Sequence, residues 1–182
     1  MARGEWGARP VGADRWRFGL WAPDATQVGV ELGGAVLPAD AAGDGWWQLD
    51  AKAVAGDAYR WVIDKDAYPD PAARAQAGDV HGASKLVDPA FAWKARWHGR
   101  PWHEAVVYEL HLGTFTPEGT LAAAMGQLVR LCELGITMIE LMPVAHFDGD
   151  HGWGYDGVLP YAPHPAYGSP EDLRAFVDAA HD

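Results

Sequence analysis

Cysteine is nearly absent: Cys132 is the only one in 182 residues. No internal disulfide is possible, which fits a reducing compartment and makes the cytoplasm the expected location. No stretch of about 18 apolar residues is present, so no transmembrane helix is expected. The N-terminal run Met1-Ala2-Arg3-Gly4-Glu5 lacks the apolar segment of a signal peptide. Cations are also scarce. Fourteen Lys and Arg stand against 25 Asp and Glu, a formal charge of −11. That balance argues against nucleic acid and against anionic membrane surfaces as partners. Internal repeats, low-complexity tracts, a Gly-rich phosphate loop and a basic patch are missing as well. Tryptophan, by contrast, is abundant, with ten residues. Most are expected in packing, and a minority could serve as stacking platforms for sugars.

The chain changes character along its length. Residues 8–95 carry short runs of period 2. Arg15–Trp21 alternates and stops at Ala22-Pro23-Asp24; Val28, Val30 and Leu32 alternate up to Gly33-Gly34; Tyr59, Trp61 and Ile63 alternate up to Asp64-Lys65-Asp66. Short strands separated by Gly, Pro and Asp turns predict an antiparallel β-sandwich. Residues 67–103 hold Pro69, Pro71, Gly78, Gly82 and Pro89 and read as an ordered linker, with Trp93, Trp97 and Trp102 expected to pack at the junction of two domains. From Ala105 the period changes. Ala105–Leu110 reads as a buried-type strand, and Leu121, Ala124, Met125, Leu128, Leu131 and Cys132 fall on one helical face. Ile136–Met142 reads as a second strand. Ser169-Pro170-Glu171-Asp172 then supplies an N-cap, a proline at N1 and acids in the first turn of another helix. The order β-α-β-α predicts a parallel sheet, open or closed into a barrel. Two strands cannot complete such a sheet, so the expected organisation is a small sandwich domain followed by the opening part of a larger α/β domain.

In α/β folds chemistry gathers at the C-terminal ends of strands. Two loops qualify: His111–Thr116, and the long connection from Met142 to Ser169. The second is far longer than an ordinary βα loop and carries three histidines, three aspartates, tyrosines and Trp153. His146, Asp148, Asp150 and His151 match no well-defined metal-ligand spacing, so no metal site is expected. Glu109 and Glu140 are expected to face inward on adjacent strands, more as buried structural partners than as a catalytic pair. Gly152-Trp153-Gly154-Tyr155 is the most suggestive element. Glycines on either side of aromatics let flat rings stand exposed, which suits stacking on a sugar, although a packed aromatic corner would read the same way.

These segments carry a resemblance. Val107–Thr116, Glu140-Leu141-Met142-Pro143-Val144, Gly152–Gly157, Tyr161-Ala162-Pro163 and Tyr167–Asp172 resemble the first barrel strands and loops of the α-amylase-type glycoside hydrolases that act on α-glucans. Thr114–Thr120, Gly154–Gly157 with an aspartate after the tyrosine, and Tyr68–Arg74 followed by Val80–Ser84 bring it nearest to the trehalohydrolase subgroup. The resemblance implies a multi-domain β plus α/β fold. Residues 8–95 would be an immunoglobulin-like, carbohydrate-binding-module-like β-sandwich. Residues 96–182 would hold the first two β/α units of an incomplete TIM (β/α)8 barrel. It implies an enzyme that cleaves the α-1,4 bond beside the terminal trehalose of maltooligosyltrehalose, with retention and without cofactor or metal. Glycogen branching, debranching, or non-catalytic α-glucan binding are the alternatives. By position, Tyr155 would stack on the sugar before the cleaved bond, with Trp153 and Asp156 supporting that pocket; His111 and Glu140 would shape it. The resemblance places the nucleophile and the acid/base beyond residue 182, so no catalytic residue is expected within this chain.

Overall fold

The computed structural model describes residues 5–182. The chain divides into two compact units. One runs up to Pro89 and takes in Leu159–Ala162; the other comprises Ala90–Val158 and Pro163–Asp182.

The first unit is built from β1 (Gly7–Gly12), β2 (Arg15–Trp21), β3 (Val28–Leu32), β4 (Ala35–Pro38), β5 (Asp40–Gly43), β6 (Trp46–Lys52), β7 (Ala58–Ile63), β8 (Asp66–Tyr68), β9 (Gln76–Ala77) and β10 (Ala83–Lys85). They form two sheets, β1-β2-β6-β5 and β4-β3-β7-β10-β9, with β8 attached to β7. Every pairing is antiparallel. The period-2 runs determine which faces meet. Trp16, Phe18 and Leu20 of β2 point inward and pack with Val28 and Val30 of β3 and with Tyr59 and Trp61 of β7 in one apolar core. Phe18 meets both Tyr59 and Trp61 edge-on, at centroid separations of 5.1 and 6.4 Å. The result is a β-sandwich, as the alternation predicts.

The segment after β8 is tied down by a buried carboxyl. Asp70 is fully buried. Its Oδ2 accepts from the Tyr59 hydroxyl at 2.7 Å and its Oδ1 from the Ala72 amide at 2.8 Å, while its own amide donates to Ser84 Oγ at 2.8 Å. Burial pushes the Asp70 carboxyl above the usual carboxylate range, against the lowering effect of these hydrogen bonds. Burial also holds the Tyr59 phenol well above its usual value, with the Asp70 charge adding to the effect. The pair therefore keeps the Tyr59 proton on oxygen, pointing at Asp70.

The second unit holds a 3₁₀ turn at Trp102–Glu104, then β11 (Val107–Leu110), α1 (Leu112–Phe115), α2 (Leu121–Met125), α3 (Leu128–Glu133), β12 (Met138–Leu141), β13 (Ala145–His146), β14 (Leu159–Pro163, most of which clusters with the first unit) and α4 (Pro170–His181). β11 and β12 pair in parallel, Val107 with Met138 through Leu110 with Leu141. A β-α-β connection is thus present. Leu110, Leu112, Leu121, Ala124, Phe147, Tyr167 and Phe176 form its core. α4 begins where the sequence predicts. Ser169 Oγ accepts from the Asp172 amide at 3.1 Å, and Asp172 Oδ2 accepts from the Ser169 amide at 2.8 Å, a reciprocal capping box with Pro170 at N1.

Three expectations are corrected. The single helix over 121–132 is two, because Gly126 ends α2 and Gln127 starts α3; glycine is a poor helix interior residue. Cys132, expected on its apolar face, is exposed. The strand expected to be buried exposes Val107, Tyr108 and Glu109, with only Leu110 buried, since among the described residues β12 alone pairs with it. Trp93, Trp97 and Trp102, expected at the junction of two domains, belong to the second unit. Within their own unit Trp93 meets Phe91, and Trp97 stacks on His181 at 4.4 Å.

Candidate sugar-binding site

The Gly152–Gly157 turn is shaped by what its glycines allow. At Gly154, φ is +87°, and a Cβ there would lie 2.1 Å from the Pro143 carbonyl oxygen. A Cβ on Gly152 would come within 3.0 Å of the Phe147 ring, and one on Gly157 within 2.8 Å of Ala145 Cβ. The three glycines therefore press the turn onto the segment that follows β12. The residues between them project outward. Trp153 is 76% exposed and Tyr155 71% exposed. Two large flat rings stand in solvent on a glycine floor, a surface suited to stacking on a pyranose ring.

His111 stands at the C-terminal end of β11, as the N-cap of α1. Its Nε2 lies 2.9 Å from the Gly152 carbonyl oxygen, which can only accept, so Nε2 carries the proton. The Tyr167 hydroxyl donates to the same carbonyl at 3.5 Å and sits 3.3 Å from His111 Nε2. Gly113 closes the arrangement: a Cβ there would meet His111 Cε1 at 3.0 Å and Tyr167 Cε1 at 3.2 Å. Burial raises the Tyr167 phenol above its usual value, and the Asp156 carboxylate adds to the effect. Its hydroxyl thus stays protonated as a donor. Asp156 itself is exposed, with Oδ1 close to Gly152.

A second histidine braces the loop from below. His164 Nδ1 accepts from the Ala166 amide at 3.1 Å, so Nε2 bears the proton and donates to the Gly149 carbonyl at 2.9 Å. Its ring stacks on Phe147 at 3.8 Å and 14°. The backbone is held at Gly149 and Gly152 by hydrogen bonds and at Gly154 by its packing on Pro143, so the turn itself needs little ordering on binding.

Of the four substrate-binding residues predicted from sequence, His111 is bonded to the turn that carries Trp153, Tyr155 and Asp156. Sequence reasoning missed Tyr167, His164 and Phe147, which are buried and hold the turn in place. Tyr167 was within reach, as it opens the segment Tyr167–Asp172. Glu109 and Glu140 are register partners on β11 and β12 but are exposed rather than buried. His146 is buried, whereas Asp148, Asp150 and His151 are exposed. Among the described residues no group of three or more His, Cys, Asp or Glu is arranged to hold a metal ion.

No protein-family model matches the chain. It is 47% identical over 178 residues to a protein of Deinococcus radiodurans and 47% identical over 189 residues to one of Rhizobium sp. (strain M-11), each alignment covering 96% of this chain. Both are named malto-oligosyltrehalose trehalohydrolase. The chain is similar to trehalohydrolases. It spans 30% and 31% of the length of these two relatives. A 1,4-alpha-glucan branching enzyme of Streptomyces avermitilis is also similar, at 33% identity over 185 residues. Among solved structures, a candidate alpha amylase from Salmonella typhimurium superposes with a TM-score of 0.93 at 52% identity, over 98% of this chain and 31% of its own. The trehalohydrolase likeness takes in both units, including the glycine-framed turn.

Proposed function

We propose that this chain is the N-terminal part of an α-amylase-type glycoside hydrolase. Its parent would cleave the α-1,4 bond next to the terminal trehalose of maltooligosyltrehalose and release trehalose. In this reading residues 8–95 are a carbohydrate-binding-module-like sandwich, and residues 96–182 open a (β/α)8 barrel with the parallel pair β11 and β12. Tyr155 stacks on a glucose unit beside the scissile bond. Trp153 flanks it, and Asp156 and His111 supply hydrogen-bonding groups at its edge. The observation that carries the reading is the 47% identity to trehalohydrolases across both units, together with exposed aromatics on a rigid glycine floor. Retaining hydrolysis needs two carboxylates about 5–5.5 Å apart on either side of the bond. The proposal assigns both to the remainder of the parent and none to this chain.

The test is product analysis. Parent protein incubated with maltooligosyltrehalose is expected to release free trehalose and a maltooligosaccharide, and residues 1–182 alone to release none. New α-1,6 branches instead of trehalose would favour glycogen branching, the second reading, which the 33% identity to a branching enzyme supports. Trehalose from the 182-residue chain above a blank would overturn the assignment of the catalytic carboxylates.

A further inference from the structure

The outer face of the sheet β1-β2-β6-β5 carries a feature the sandwich core does not need. Alternation along β2 sends Trp16, Phe18 and Leu20 into the core and Arg17, Gly19 and Trp21 outward. Across the β2–β6 ladder the outward residues pair as Arg17 with Asp50, Gly19 with Gln48 and Trp21 with Trp46. Directly opposed residues of an antiparallel pair share a face, so Trp21 and Trp46 are neighbours. Trp6 joins them, its ring 5.9 Å from that of Trp46 and nearly perpendicular to it. Gly19 makes room for this: a Cβ there would lie 1.9 Å from the Glu5 carbonyl oxygen, so the segment leading to Trp6 passes directly over it. Trp6 and Trp21 remain 48% and 47% exposed. The Trp21 indole is fixed, because its Nε1 donates to the Asp44 carbonyl at 3.0 Å.

Beside the three indoles the same face turns polar and its charges balance, with outward Arg15 and Lys52 matched by Asp14, which pairs with Lys52, and by Asp40 opposite Gln48. Arg17 makes a two-pronged ion pair with Asp50, 2.7 Å at each oxygen, and Arg9 pairs with Glu5. Gln48 lies between this pair and Trp46 along β6. From Trp21 to Arg17 is four residues of strand, about 13 Å. An anion or a cation gains little from a face on which charges of both signs are interleaved in equal number. An uncharged ligand with a flat apolar side and many hydroxyls fits both parts: ring faces on tryptophan, hydroxyls on Gln48 and the Arg17–Asp50 pair.

We infer that this face is a second sugar-binding site, taking a neutral oligosaccharide across Trp21, Trp46 and Trp6 toward Arg17. That the oligosaccharide is an α-1,4-glucan rests on the function proposed above. The site would tether a long glucan at a place separate from the Trp153–Tyr155 turn.

The experiment is a titration of the 182-residue chain with maltoheptaose, followed by calorimetry and tryptophan fluorescence. It is done in a background where Trp153→Ala and Tyr155→Ala remove the other aromatic pair. Binding is expected to persist in that background. Adding Trp21→Ala, or Trp6→Ala (which lies outside the strands and leaves the ladder intact), is expected to weaken it about tenfold or more. Thermal melting of each variant separates lost binding from lost fold. The inference is overturned if the background protein binds no maltoheptaose, or if both tryptophan variants fold and bind as it does. Because trehalose release by the parent is assayed independently, the face can fail while the trehalohydrolase reading stands, and the reverse.

Discussion

Gly154 carries more of the candidate site than any aromatic in it. Its positive φ, and the 2.1 Å that would separate a Cβ at this position from the Pro143 carbonyl oxygen, leave no place for a side chain. Gly154→Ala is expected to destabilise the chain by about 2 kcal/mol or more, read from urea unfolding. Trp153→Ala is expected to change stability by less than about 0.5 kcal/mol, because an exposed ring supports nothing beneath it. Asp70 gives a different residue-scale test. Its carboxyl is raised in the folded chain, so the protonated form is the better fit. The corresponding stability is fully present below the unfolded value of about 3.9 and is lost as pH rises through the folded value. Asp70→Asn keeps the acceptor for Tyr59 and cannot ionise. The difference in unfolding free energy between wild type and Asp70→Asn is expected to drift as pH rises from about 4 and then level off. A difference independent of pH would show that the carboxyl is not titrating in the fold.

At the scale of elements, α4 depends on its start. Ser169→Ala removes one half of the capping box and is expected to cost about 1 kcal/mol, measured as a shift in denaturant midpoint at constant m-value. Elements specified by local chemistry were legible in the sequence: the Ser169 cap, the alternation over Arg15–Trp21, the strand at Met138–Leu141. Elements decided by what lies opposite them were not. Periodicity says which residues of β11 share a side, but not whether anything covers that side. It joins residues 121–132 into one helix because apolar spacing ignores the single turn that Gly126 interrupts. The site divides the same way. Glycine spacing singled out Trp153 and Tyr155, and loop position singled out His111, whereas Asp156 entered only with the family resemblance. The bonds from Tyr167 and His111 to Gly152 span 15 and 41 residues, and no local pattern encodes them.

At the scale of the molecule, each unit has its own apolar core, and no residue is common to the two. Phe18→Ala in the sandwich core is expected to cost about 3–5 kcal/mol, read by amide hydrogen exchange as lost protection in β2, β3, β6 and β7. Among the described residues no helix is long and apolar enough to cross a membrane. In the parent, Tyr155→Ala is expected to lower kcat/KM on maltooligosyltrehalose while leaving the melting temperature unchanged, and an unchanged kcat/KM would remove Tyr155 from the substrate path. The glycine floor beneath that tyrosine also makes the turn a cassette. Its shape is written in positions 152, 154 and 157, and its chemistry in positions 153, 155 and 156, so the second set can be randomised without disturbing the first. If the turn binds glucan as proposed, a library confined to those three codons is expected to sample new sugar preferences in proteins that still fold.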